Sequence, residues 1–234
     1  MDVDLQDLTP FVIHVWRMPL GATRSKMEAL AHCLSKREVE RLDRFASHLT
    51  RDRRSVAWGS LRVILARYLD CPPRDIQIVR DGLGRPEIAY PEAAGLSFSL
   101  SHSGDHGLVA VSRNAVGVDI ERVNPDIDVR RVAGRFFTPP EAKRLLGLPE
   151  EERTETFFRL WVLKEAYLKA HGATVPAGLS KCELTLEPDG PRLCTSDFES
   201  MTDACVLAEV PVATSYAAAV AGLQEKADIS VFDL

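Results

Sequence analysis

The spacing of hydrophobic positions switches repeatedly along this chain, and each switch predicts an element. Phe11-Val-Ile-His-Val-Trp16 reads as a strand, followed by a turn at Pro19-Leu-Gly21 and a helical stretch from Ser25 to Leu34. Ser35-Lys-Arg-Glu38 has the form of a capping box, in which the serine hydroxyl accepts from the Glu38 N–H while the glutamate reaches back, so a helix begins there. After a polar break at Ser47 to Thr50, Leu61, Ile64, Leu65 and Tyr68 recur at helical spacing until Cys71-Pro-Pro73 ends the pattern. The period then shortens: Ile76 to Val79, Leu96 to Leu100, Gly107 to Val111 and Val116 to Ile120 read as short strands. Thr138-Pro-Pro-Glu141 repeats the capping box with proline where a first helical turn tolerates it. A long helix follows from Thr154 to His171, stopped by Gly172, and strands return at Cys182–Leu186, Cys205–Val210 and Ser215–Val220.

From Ser35 to the end of its helix pair is about as far as from Thr138 to Gly172, and strands flank both pairs. The expected fold is therefore α+β, a pseudodimer of two similar α/β halves, residues 1–113 and 114–234, with the active site in the cleft between them. Composition bounds what such a fold does. At 45% hydrophobic and 27% charged the chain is ordinary globular protein. A formal charge of −5 argues against nucleic acid or an anionic membrane as partner, while leaving room for a local basic pocket. No apolar run approaches the ~20 residues of a membrane span. The acidic start Met1 to Asp7 does not read as a secretory leader, and Cys33, Cys71, Cys182, Cys194 and Cys205 contain no C-x-x-C pair. Reduced thiols in the cytoplasm are the expectation.

Asp119 and Glu121 lie two apart on a strand and so share a face, a pair able to hold a hard cation or simply to face solvent. Glu165 and Lys169, four apart, stack on one face of the long helix. Trp161, Leu163, Tyr167 and Leu168 surround them and leave almost no polar face, so both charges need partners. Ser101-His102-Ser103-Gly104, placed after a strand, offers hydroxyls, an imidazole and free backbone donors to an anion, or caps itself locally. Gly82-Leu-Gly-Arg85-Pro86 is a turn. Arg41, Arg44, Arg51, Arg53 and Arg54 gather across the first helix pair, as a solvated face or as forks for phosphate. No His or Cys spacing suits zinc.

Taken together, G-R-P at 84–86, S-H-S at 101–103, Gly117-Val-Asp119-Ile-Glu121 and Trp161-Val-Leu-Lys164-Glu165-Ala-Tyr-Leu-Lys169 resemble the Sfp-type 4′-phosphopantetheinyl transferases over nearly the whole chain. The doubled length resembles the family's pseudodimeric members. The resemblance implies Mg²⁺-dependent transfer of 4′-phosphopantetheine from coenzyme A to a serine of an apo acyl or peptidyl carrier protein, by a cytoplasmic monomer. It implies Mg²⁺ on Asp119, Glu121 and Glu165, with Glu165, Lys169 and Asp119 as the catalytic set. It also implies nucleotide-phosphate contacts from Arg53, Arg85, Ser101, His102, Lys169 and Arg41, so that the N-terminal half holds the nucleotide and the C-terminal half the metal. Ser99 stands where relatives often carry Asn, and Glu38 interrupts basic residues near the expected 3′-phosphate site. A metal-dependent phosphohydrolase and a non-catalytic coenzyme A or carrier binder are the alternatives, the first because the same carboxylates serve phosphate cleavage by water.

Overall fold

Local capping chemistry sets the first helices. A computed structural model describes residues 8–82, 84–92, 95–173, 178–198 and 204–234. Strand β1 (Val12–Pro19) leads to helix α1 (Arg24–Ala31), and the Thr23 hydroxyl accepts from Lys26 N. Helix α2 (Lys36–Leu42) starts on the complete Ser35/Glu38 capping box. The polar break at Ser47 proves to be the cap of helix α3 (His48–Leu69), which closes at Asp70 in the left-handed conformation before the two prolines. Strands β2 (Gln77–Arg80), β3 (Pro86–Tyr90), β4 (Ser97–Ser103), β5 (His106–Ser112) and β6 (Val116–Arg122) follow.

Helix α4 (Val129–Phe136) precedes α5 (Pro139–Leu146), which begins on the second complete capping box, Thr138 with Glu141. Helix α6 runs Glu150–Ala170. Strands β7 (Cys182–Glu187), β8 (Gly190–Ser196), β9 (Val206–Glu209), β10 (Tyr216–Gly222) and β11 (Asp228–Asp233) complete the chain. Sequence periodicity does not anticipate β3, α4, β8 or β11. The acidic start read as lacking a leader, and Leu83 of the predicted turn, lie outside the described residues. Among the described residues no helix is long and apolar enough to cross a membrane.

The fold is α+β in two halves, but β11, which the expected division at 113/114 assigns to the second half, pairs with β1 of the first. One sheet has the order β11-β1-β5-β4, with β11 parallel to β1, and a second has the order β6-β10-β9; two hairpins, β2-β3 and β7-β8, lie apart. Ile13, Val15, Leu108 and Ala110 face Val118, Ile120, Ala218 and Val220 in a core shared by the two main sheets. On its other face the first sheet packs Trp16, Val109 and Val111 against Val56, Ile64 and Leu65 of α3. The second packs Ala217, Ala219 and Ala221 against Phe158, Val162 and Ala166 of α6.

The alternation along β6 decides the site. Val116, Val118 and Ile120 enter the shared core, so Gly117, Asp119 and Glu121 take the opposite face, toward α6. Edge strand β4 lies beside β6, and its serines join the two by hydroxyls. Val118 N donates to Ser99 Oγ (3.1 Å) and Arg122 N to Ser103 Oγ (3.1 Å). Ser101 donates to Asp119 Oδ1 (2.6 Å) and Ser103 to Glu121 Oε2 (2.7 Å). This corrects the placement of Ser101-His102-Ser103 after the strand rather than within it. They are the last residues of β4, opposite Leu108, Gly107 and His106 of β5, because the alternation continues through polar side chains that an apolar pattern cannot register.

Gly117 lets α6 lie directly on β6: a Cβ there would fall 1.9 Å from Ala166 O and 2.6 Å from Ala170 N, both backbone atoms that cannot swing aside. Gly117→Ala is therefore expected to destabilise the protein by about 2–4 kcal/mol and to displace α6. Urea unfolding measures the first, and a midpoint equal to wild type would contradict the close packing.

Candidate active site

Two elements meet at one cluster of charge. Lys169 Nζ, on the last turn of α6, donates to Asp119 Oδ1 (2.6 Å), Ser101 Oγ (3.1 Å) and Val118 O (3.2 Å), and lies 3.9 Å from Glu165 Oε2 one turn earlier. Helical spacing gives the Glu165–Lys169 stacking, and the approach allowed by Gly117 brings the pair over β6. The structure thus assembles Asp119, Glu165, Lys169 and Ser101, with Glu121 next along the same face of β6 and held by Ser103.

Electrostatics mark the cluster as unfinished. Glu165 is pushed up to about 7 by burial, then by the Asp119 charge, against the opposing pull of Lys169. Burial also raises Glu121, a rise that the Ser103 hydrogen bond opposes. Asp119 is 1% exposed, and its Oδ2 is buried without a hydrogen-bond partner. Among the described residues no group of three or more His, Cys, Asp or Glu side chains is spaced as a ligand set for a metal ion. As the structure stands, Lys169 holds the Asp119 oxygen that such an ion would contest.

The cluster opens onto a cavity of about 990 Å³ lined by Arg41, Arg44, Arg54, Arg80, Arg85, Trp58, Phe98, Ser101, His102 and Lys169. Of the expected phosphate contacts, Arg41, Arg85, Ser101, His102 and Lys169 line it. Arg53 is not among the lining residues; its guanidinium pairs with Asp105 at the β4–β5 turn. Arg85 donates toward Ala170 O at the end of α6 (3.4 Å) and lies 3.9 Å from Glu87. Arg54 and Arg80 are lowered first by burial and then by the Arg41 charge, and Arg54 Nε is buried without a partner. Burial, then the Arg54 and Lys169 charges, lower His102, against a backbone hydrogen bond that raises it. An excess of cations around a cavity of this size suits a ligand carrying several phosphates. Arg80 was missed by sequence reasoning, since nothing in its immediate neighbourhood distinguishes it from any polar residue before a turn.

Two residues whose surroundings the sequence does not disclose support this arrangement. Lys164, next to Glu165, is fully buried and donates to both oxygens of Glu141 (2.7 and 2.6 Å). Glu38 is engaged by its own cap and by Arg62 (2.8 Å), which fixes it at the cavity wall.

Comparison with known proteins finds relatives of this chain. Residues 115–221 match the family model described as the 4′-phosphopantetheinyl transferase superfamily, and residues 20–114 match one described as 4′-phosphopantetheinyl transferase, N-terminal. The 4′-phosphopantetheinyl transferase HetI of a Nostoc species is 39% identical over 181 residues, covering 76% of each chain. The 4′-phosphopantetheinyl transferase psf-1 of Bacillus pumilus is 32% identical, over 77% of this chain and 76% of that one. A solved holo-(acyl-carrier-protein) synthase from Bacillus anthracis, in complex with coenzyme A (3′,5′-ADP), is similar to 47% of this chain and 94% of its own at 25% identity, with a TM-score of 0.40.

The raised Glu165 carboxyl makes stability depend on pH. Its folded value, about 7, lies above its ordinary 4.5, so its contribution is fully present below the ordinary value and is lost as pH rises through 7. In buffer containing a chelator, Glu165→Gln is expected to be more stable than wild type at pH 8 by the order of 2 kcal/mol, with the gap closing toward pH 5. Denaturant melts across that range check it; a gap independent of pH would contradict the assignment.

Proposed function

The chain belongs to the 4′-phosphopantetheinyl transferase family, and from that premise we propose that its cleft transfers 4′-phosphopantetheine from coenzyme A to a serine hydroxyl of an apo acyl or peptidyl carrier protein. The observation that carries this reading is the direct continuity between an arginine-rich cavity and the Asp119–Glu165–Lys169 cluster. In the reaction the serine oxygen bonds to the phosphorus that bears pantetheine. The bond from that phosphorus to the bridging diphosphate oxygen breaks, and adenosine 3′,5′-bisphosphate leaves with the electron pair.

Such a displacement requires positioning and neutralised charge. Arg41, Arg54, Arg80, Arg85 and His102 hold the nucleotide phosphates, with Trp58 and Phe98 as the apolar surfaces beside them. Lys169 at the cavity's inner end meets the diphosphate and the charge that grows on the leaving oxygen. Glu165, one helical turn before Lys169, is placed to take up the serine proton or to hold a cation. Asp119, Glu121 and Glu165 would hold Mg²⁺: the donor set is all carboxylate oxygen, as a hard cation prefers, and the unpaired Oδ2 of Asp119 is a buried acceptor in need of a positive partner. When bound, the ion neutralises diphosphate oxygens. The two halves of one chain supply both walls of the cleft, so a monomer suffices, and five free thiols suit the reducing cytoplasm.

Incubation with coenzyme A, Mg²⁺ and a panel of apo carriers, with each carrier weighed by mass spectrometry, tests the reading. The expected result is a phosphopantetheine added to a carrier serine. Coenzyme A cleaved at a rate indifferent to carrier would overturn it in favour of a hydrolase. Lys169→Ala is expected to lower kcat by at least ~100-fold, whereas Arg54→Ala is expected chiefly to raise KM for coenzyme A.

A further inference from the structure

The two halves repeat more than their helices. Ser35 and Thr138, Glu38 and Glu141, and Trp58 and Trp161 are each 103 residues apart, and Arg62 and Lys164 are 102 apart. In both halves the glutamate of the capping box also accepts from a cation on the half's long helix, and that cation reaches a carbonyl of the segment beyond. Arg62 donates to Glu38 Oε2 (2.8 Å), Pro73 O (2.8 Å) and Ile76 O (2.9 Å). Lys164 donates to Glu141 and to Cys182 O, while Leu184 N donates to Glu141 Oε1 (2.8 Å) and Thr138 N to Glu141 Oε2 (2.9 Å). Each half is thus fastened by one staple of cap, cation and following segment.

Energy alone does not account for the repetition, because a buried ion pair contributes little that well-packed apolar side chains would not. What it does supply is direction. Lys164 is the residue before Glu165, so its bonds to α5 and β7 fix how α6 is rotated and where Glu165 and Lys169 aim. Helix α2 is anchored differently. Of its seven residues only Leu42 is buried, and it presents Arg37, Glu40 and Arg41 to the cavity, so the Glu38–Arg62 pair determines where that wall stands. The exposures differ accordingly: Lys164 and Glu141 are both 0% exposed, whereas Arg62 is 1% and Glu38 20%.

We propose that the repeated staples are positioning devices with separate kinetic effects, Lys164–Glu141 governing turnover by aiming α6 and Arg62–Glu38 governing capture of coenzyme A by placing α2. The proposal rests on the transferase reading. Where reacting groups must be held closely, a small misplacement costs rate, while a displaced wall costs affinity.

Removing the stapling cation from each half in turn tests it. Arg62→Met, whose partner can rehydrate, is expected to raise KM and the calorimetric dissociation constant for coenzyme A at least about fivefold, with kcat within about twofold of wild type. Lys164→Met/Glu141→Gln, made double to avoid stranding a buried charge, is expected to lower kcat at least about tenfold while coenzyme A affinity stays within about twofold. Should the double variant not fold, Glu141→Asp, which keeps the charge but shortens its reach, is read in its place with the same expected loss of kcat. A merely structural role would lower the active fraction alike in both variants and leave affinity untouched. That pattern, or wild-type constants in both, overturns the proposal. Wild type is assayed alongside: if it transfers phosphopantetheine and the split is absent, the staple proposal alone falls, and if it transfers none, both readings fall.

Discussion

Lys169 and Asp119 meet at 2.6 Å on the seam between α6 and β6, and the rest of the site depends on that contact. Burial and then the Asp119 charge raise Glu165 and Glu121, so both carboxyls are harder to keep charged. One ammonium from the helix that supplies Glu165 offsets part of this, and the remaining imbalance is visible in the raised Glu165 and Glu121 and in the unpaired oxygen of Asp119. In the proposed function, a site left short of positive charge would take a cation and, beside its arginines, a polyphosphate. The contact exists because position 117 carries no side chain, which lets α6 approach close enough for Lys169 to reach β6.

One architectural plan serves two ends. Each half places a capped short helix and a long helix beside its sheet, and each fastens them with a glutamate and a cation. In the C-terminal half the long helix delivers Glu165 and Lys169 to β6. In the N-terminal half the corresponding surface is lined with arginines and opens as the cavity. The hydroxyls of Ser99, Ser101 and Ser103 join the halves where β4 and β6 run side by side, and two of them also orient the carboxylates. A Ser99 hydroxyl that accepts from Val118 N shows why a small polar residue is suited to that position.

Much of this was legible in the sequence because its causes are local. Both capping boxes, the shared face of Asp119 and Glu121 and the stacking of Glu165 on Lys169 follow from spacing alone, and the apolar surroundings of the long helix already implied that its charges were covered. What escaped depends on distant partners or on polar alternation. Strand β3 is largely exposed and follows a turn, so it carries no apolar signal. The S-H-S run is strand because its serines face β6 across the seam, and sequence separation hides that neighbour. Arg53 looks like every other arginine of its helix until the β4–β5 turn supplies Asp105. Lys164 reads as one more charge beside Glu165, and only the fold shows it facing inward to Glu141, 23 residues away.

The proposed function carries a definite chemical expectation: carboxylate oxygens of Asp119, Glu121 and Glu165 would hold a divalent ion, and Lys169 would pair with the diphosphate. Anomalous diffraction from crystals grown with coenzyme A and Mn²⁺ examines this most directly. A metal peak bound by oxygens of Asp119, Glu121 and Glu165, with the diphosphate against it and the nucleotide among the arginines, is the expected result. Coenzyme A seated in the cleft with the metal peak elsewhere, and Lys169 still held by Asp119, would contradict it.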